Sequence, residues 1–227
     1  MPGRKMVIRS EHKYLLSAEH AVALAARLGS LLTADRHNGR WGYRMRSLYF
    51  DTPEHRDYLE KEAGVPQRSK YRLRIYDAAA ETAYLEHKQK DGERQQKLSF
   101  PVSRGQAQGM VAGGPPPLLQ DGADAARLYT QMQGRRPTLL IEYSRAAYIW
   151  PVRNTRITLD SDIGFTAVGL DLFQPRPAYQ PLSLTGEVVL EVKYDGCLEP
   201  FIREIIQPYC QSRLSFGKYE RCLWHTL

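Results

Sequence analysis

Charge recurs at alternate positions in segments that otherwise read as β-strands, and this recurrence limits what the 227-residue chain can fold into. Glu11 and Lys13 are two apart, as are Arg72 and Arg74, Glu86 and Lys88, and Glu191 and Lys193, while Arg156, Thr158 and Asp160 repeat the spacing. Successive side chains of a strand point to opposite faces, so each set shares one face. The positions between are often apolar, as with Leu73 and Val192. A charged inside and an apolar outside invert an ordinary small barrel. They suit a sheet that closes around a charged ligand and carries helices on its outer face. The expectation is one α+β domain over residues 1–227, an antiparallel eight-stranded tunnel-shaped β-barrel with peripheral helices.

The same patterns place the elements. Lys5 to Leu15 reads as a strand, and Ser17 caps a helix to about Leu32 with Leu24, Leu28 and Leu31 on one stripe. A loop at His37 to Gly42 leads to a strand at Arg44 to Phe50, ended by Asp51-Thr52-Pro53, and a short helix at Glu54 to Glu62. Strands follow at Ser69 to Tyr76, Ala83 to Lys90 and Gln96 to Pro101, the last two joined by a turn at Gly92. Arg104 to Gly122, with its Gly-Gly-Pro-Pro-Pro run, reads as a long loop. A helix at Ala123 to Gln133 precedes strands at Thr138 to Trp150 and Val152 to Asp160. After a Pro-rich loop at Gln174 to Pro181 come a strand at Glu187 to Tyr194 and a helix at Glu199 to Gln211.

Collecting the charges of inward parity gives the bases Lys13, Arg72, Arg74, Lys88, Arg145, Arg156 and Lys193, with Lys97 and Lys218 added, and the acids Glu11, Glu86, Asp160 and Glu191. Nine bases less four acids leave about +5 on one interior, and unpaired buried charge costs several kcal/mol per ion. Such a face attracts an anion, and a barrel of about eight strands has room for one slender ligand. A linear phosphate chain fits, since charge-assisted bonds contribute roughly 1.5–3 kcal/mol each. The acids suit a divalent metal bridging phosphate oxygens, because Mg²⁺ takes one or two carboxylates plus substrate phosphates. No Walker glycine loop, HExxH, GxSxG or Cys/His dyad is present. His12 and His87 lie between inward charges and so face the other way.

The net charge of +7 points to a polyanionic partner. Cys197, Cys210 and Cys222 have no zinc-like spacing and suit a reducing compartment. With no run of about 18 apolar residues and no apolar leader at the N-terminus, a cytoplasmic location is expected. A nucleic-acid partner is disfavoured by the lack of a recognised motif or stacking platform.

These residues carry a family resemblance. Arg9-Ser-Glu11-His-Lys13-Tyr14, Ser47-Leu-Tyr-Phe-Asp-Thr-Pro53, Tyr71-Arg-Leu-Arg-Ile-Tyr76 and Leu85-Glu-His-Lys88 follow in order. Tyr143-Ser-Arg145, Arg156-Ile-Thr-Leu-Asp160, Leu190-Glu-Val-Lys193 and Phe216-Gly-Lys-Tyr219 complete the set. Together they resemble the VTC domain, the polyphosphate polymerase branch of the triphosphate tunnel metalloenzymes (CYTH-like superfamily). The resemblance implies a tunnel that binds ATP, inorganic triphosphate or polyphosphate with Mn²⁺ or Mg²⁺. It implies transfer of the ATP γ-phosphate to a polyphosphate chain. Catalytic grip falls to Lys13, Arg72, Arg74, Lys88, Arg145 and Lys218, phosphate contacts to Lys97, Tyr143, Arg156, Lys193 and Ser215, and the metal to Glu191, joined by Glu11, Asp160 and Glu86. Positioning and electrostatics can carry most of such a reaction. Gly217 stands where the family often has Ser, with Ser215 two residues earlier. The regulatory and membrane modules of the eukaryotic enzymes are not in this sequence, so coupling to transport would take a separate membrane partner. The alternatives are a triphosphatase or polyphosphatase in the same tunnel and a non-catalytic polyphosphate-binding module. Arg104–Gly122 and Gln174–Pro181 are the segments placed to cover a tunnel end, and their Gly and Pro content predicts a passage open at both mouths.

Overall fold

The computed structural model describes residues 9–40, 42–92, 94–117, 122–210 and 212–227. In chain order the elements are β1 (Arg9–Leu16), α1 (Ala18–Leu31), β2 (Thr33–Ala34), β3 (Tyr43–Asp51), α2 (Arg56–Glu62), β4 (Gln67–Ile75), β5 (Thr82–Asp91) and β6 (Arg94–Ser103). Then come α3 (Arg104–Val111), α4 (Gly122–Met132), β7 (Arg136–Trp150), β8 (Thr155–Thr166), β9 (Gln180–Pro181), β10 (Val188–Asp195), α5 (Pro200–Ile206) and α6 (Lys218–Trp224). The expected start of β1 at Lys5 lies outside the described residues.

The strands follow the order β1-β10-β8-β7-β3-β4-β5-β6, with β2 beside β7 and β9 beside β8. The α+β class and the antiparallel pairing are as expected. The closed barrel is not: among the described residues β1 and β6 do not pair, and the sheet has two ends. Pro101 helps to make β6 an edge, since proline has no N–H to offer a further strand.

Contacts divide the chain into two compact units. The first comprises residues 1–43, 143–163 and 183–216. Its core joins Leu24 and Leu28 of α1 to Ile157, Leu190 and Val192 of the strands and Ile202 and Ile205 of α5. Ser17 caps α1, its Oγ accepting from His20 N at 3.2 Å. Leu31 does not join the stripe: it is 54% exposed, and Ala21 and Leu32 are buried in its place. Leu31 is the last residue of α1, and the extended C-cap Leu32 turns into the core instead.

The second unit comprises residues 44–142, 164–182 and 217–227. Leu48, Phe50, Tyr71, Leu73, Ile75 and Leu85 from β3 to β5 pack under Ala107 and Met110 of α3 and Leu128 and Met132 of α4. α3 corrects the long loop expected from Arg104. Its glycines hide the period, yet Ser103 and Gln106 form a full capping box and Ala107 and Met110 are buried three residues apart. This helix is therefore part of the core and not a flap. α6 was also unforeseen. In both units the apolar parity lies under helices, as the alternating pattern requires.

Candidate functional site

In the first unit, β1 and β10 pair with Glu11 opposite Lys193 and Lys13 opposite Glu191. Two acids and two bases thus meet on one face. Lys13 Nζ is 3.0 Å from Glu11 Oε1 and 3.6 Å from Glu191 Oε2. Lys193 Nζ is 3.5 Å from Glu11 Oε2 and also closes on Glu191 Oε1. Lys13 donates to the Phe216 carbonyl at 2.9 Å, tying β1 to the segment that carries Ser215, which is exposed. On β8, Arg156 stands opposite Lys193 and Thr158 opposite Glu191. The Thr158 hydroxyl is buried and has no hydrogen-bond partner among the described residues.

Further along β8, both oxygens of buried Asp160 accept from Arg145, at 2.6 and 2.7 Å. The Arg145 guanidinium lies 5.4 Å from the centre of the Tyr143 ring. Gly42 makes room for this strand: its φ is +87°, and a Cβ there would come within 2.3 Å of the Arg145 carbonyl oxygen. Arg156 donates to Asp35 Oδ2 at 2.9 Å, and Asp35 Oδ1 accepts from the His37 N–H at 3.1 Å. Burial tends to raise the Asp35 pKa, but the His37 contacts and the Arg156 charge outweigh it and hold it below the ordinary value.

In the second unit, Arg72 of β4 stands opposite Glu86 of β5, and Lys70, Lys88 and Lys97 stand in one row across β4, β5 and β6. Glu86 is 4% exposed. It meets Arg72 Nε at 2.7 Å, Arg74 Nη1 at 3.5 Å and Lys97 Nζ at 2.5 Å. Burial would raise its pKa, but Arg72, Arg74 and Lys97 overcome that and bring it to about 2. Like charges directly opposite one another destabilise a sheet. The row is met by Glu86 at Lys97 and by Glu220 at Lys70. Arg68 and Lys90 extend it by a further cross-strand pair.

α6 docks on the same charged face. Tyr219 stacks on Tyr49 at 5.0 Å and donates to Asp51 Oδ2 at 2.7 Å, while Arg72 donates to the Tyr49 hydroxyl at 2.9 Å. Buried Glu220 closes on Lys70, and Lys218 opens the helix. Burial pushes the Glu220 pKa up, and Lys70 more than offsets it. At Gly217 a Cβ would meet the Glu220 carboxylate, so a side chain there requires that end of Glu220 to shift. His87 faces the core as expected, 2% exposed and stacked on Tyr71 at 4.5 Å.

The sequence-derived residues thus fall into two sets. Lys13, Arg145, Arg156, Lys193, Tyr143, Ser215, Glu11, Glu191 and Asp160 belong to the first unit, and Arg72, Arg74, Lys88, Lys97, Lys218 and Glu86 to the second. Of the four acids, Glu11 and Glu191 meet at the same two lysines, Asp160 is clasped by Arg145, and Glu86 is held by three bases. Among the described residues no group of three His, Cys, Asp or Glu is arranged to hold a metal. Glu11, Glu191 and the unpartnered Thr158 hydroxyl are oxygen donors of the kind that a hard divalent ion takes. Lys70, Arg68 and Lys90 escaped the sequence reading although their parity with Arg72 and Lys88 marks them. Asp35 and Glu220 left no such signal, since they sit outside the charged strands.

The sequence matches the VTC domain family over residues 8–225, and the chain belongs to that family. Among solved structures it is similar to a proposed adenylate cyclase from Bacillus halodurans (TM-score 0.57, 18% identity, 93% of this chain and 94% of that one covered). A second proposed adenylate cyclase, from Vibrio parahaemolyticus, gives a TM-score of 0.51 at 11% identity, covering 95% and 98%. A protein from Pyrococcus horikoshii gives 0.50 at 12% identity, covering 96% and 99%. These likenesses show the fold. A comparison with curated proteins finds no match. Among the described residues no helix is long and apolar enough to cross a membrane.

Proposed function

We propose that this VTC domain, taken as one domain over residues 1–227, is a metal-dependent polyphosphate polymerase that transfers the γ-phosphate of ATP to a polyphosphate chain. Family membership speaks for an enzyme acting on phosphates. The observation that carries the reading is the excess of bases on the β4–β6 face: Arg68, Lys70, Arg72, Arg74, Lys88, Lys90 and Lys97 against Glu86, with Glu220 reaching in from α6. Arg72, Arg74, Lys88 and Lys218 hold phosphate oxygens there, and Lys97 joins them. In the first unit, Lys13, Arg156 and Lys193 of β1, β8 and β10, with Arg145 of β7, are the bases that meet phosphate, and Tyr143 and Ser215 are neutral contacts.

Glu11 and Glu191, with the Thr158 hydroxyl, would hold Mn²⁺ or Mg²⁺. When bound, the ion neutralises charge on the phosphate oxygens. In this reading Asp160 and Glu86 serve the bases: one orients Arg145, the other spaces Arg72 and Arg74. Acid and base are interleaved, so an incoming phosphate takes over lysines that the carboxylates now hold. In-line transfer needs positioning and charge stabilisation more than covalent chemistry, and fixed guanidinium forks provide both.

Incubating the protein with ATP and Mn²⁺ and resolving the products tests this. Long-chain polyphosphate should accumulate together with ADP. Orthophosphate alone, with no chain longer than the substrate at any time point, would make the protein a hydrolase instead.

A further inference from the structure

The basic face of β4 and β5 ends in a pair of exposed aromatic rings. Tyr84 shares its parity with Glu86 and Lys88 and stands directly opposite Arg74. Tyr84 is 38% exposed. Tyr76, just past the end of β4 and 50% exposed, meets it edge to face with ring centres 6.3 Å apart. Both rings flank the turn between the two strands, and that turn is held. Arg104 donates to the carbonyls of Ala78 and Ala80 at 3.0 and 3.3 Å, and Asp77 Oδ1 accepts from Ala79 N at 2.8 Å.

Reading away from this turn, β4 presents Arg74, Arg72, Lys70 and Arg68, while β5 presents Tyr84, Glu86, Lys88 and Lys90. Same-face neighbours along a strand are about 6.7 Å apart. The order is aromatic first and cationic after, which is the order of the parts of a nucleoside triphosphate. A single exposed tyrosine on a sheet is ordinary surface. This pair has a fixed turn behind it and a row of cations beginning beside it.

From this order we propose that Tyr84, with Tyr76 at its edge, is the platform on which the base of the nucleoside triphosphate stacks. The inference rests on the reading that Arg72 and Arg74 hold phosphates. Phenol rings stack on any base face, so affinity for nucleotide over bare triphosphate comes from these tyrosines. The γ-phosphate is then directed away from Tyr84, toward Lys70, Lys88 and Lys97.

The test is a binding comparison of ATP with inorganic triphosphate on the full chain. Wild type should bind ATP more tightly than Tyr84→Ala by on the order of tenfold, the usual yield of one stacked base. Inorganic triphosphate should bind both proteins alike, and Tyr84→Trp should restore ATP binding. An unchanged ratio of ATP to triphosphate affinity in Tyr84→Ala, or an equal loss of both ligands, would overturn the platform. Failure of wild type to bind inorganic triphosphate at all would instead sink the phosphate reading beneath it.

Discussion

On the β1–β10–β8 face of the first unit, acids and bases are matched: Glu11 and Glu191 meet Lys13 and Lys193, while Asp160 meets Arg145 from β7 and Arg156 meets Asp35 from beyond β2. On the β4–β6 face of the second unit, a single strand-borne acid, Glu86, is shared by Arg72, Arg74 and Lys97. Both faces come from one device, a strand whose alternate positions are charged and whose other positions pack under helices. They differ in balance. A matched face can offer its carboxylates to a cation without collapsing, because the lysines it frees have phosphates to meet. A face rich in bases lowers its own repulsion by binding an anion. On the proposed reading, the carboxylates of the first face serve the metal and the base-rich second face carries most of the phosphate grip.

The largest expected effect tests how firmly the first face is matched. Asp160 is fully buried and depends on Arg145, and breaking such a pair costs about 3–5 kcal/mol. Arg145→Ala should lower stability by about that amount in denaturant unfolding. A loss below about 1 kcal/mol would mean that the pair is not the anchor described.

Acid should next distinguish the second face. The Glu86 pKa is depressed from 4.5 to about 2 in the folded protein, so its stabilising contribution is complete above about 4.5 and is lost as pH falls toward 2. At about 1.4 kcal/mol per pKa unit the loss is on the order of 3 kcal/mol, and Glu86→Gln should flatten that part of the stability profile. An identical slope in Glu86→Gln would place the acid-labile group elsewhere.

A smaller effect probes α6. Gly217→Ser brings a Cβ against the Glu220 carboxylate and can be accommodated only by shifting it from Lys70, at a cost of up to about 1–3 kcal/mol. The same substitution in a Glu220→Ala background should cost less. Equal costs in the two backgrounds would show that Glu220 does not dictate the glycine.

Much of this plan was legible in the sequence because parity is a local property. Alternation at Arg72 and Arg74 or Glu191 and Lys193 fixes a face wherever the strand ends up, and the helices over Leu73 and Val192 followed from the apolar parity. Closure was not legible: whether β1 meets β6 depends on edges, and only Pro101 hints at one. α3 was hidden by Gly105 and Gly109, whose poor helix propensity is overridden by a capping box and two buried contacts. The partners of each acid could not be read either. Glu86 and Asp160 have the same spacing signals as Glu11 and Glu191, and only the register shows which carboxylates two lysines share and which are committed to arginine.

The division of labour itself is tested most directly by titrating Glu191→Gln with inorganic triphosphate, with and without Mn²⁺, beside wild type. The substitution keeps shape and removes one negative charge from the first face alone. Metal-free triphosphate binding should persist or tighten, while the added effect of Mn²⁺ on affinity disappears along with activity. Loss of metal-free triphosphate binding, with the Mn²⁺ effect and full activity intact, would contradict the assignment of metal to the first face and phosphate to the second.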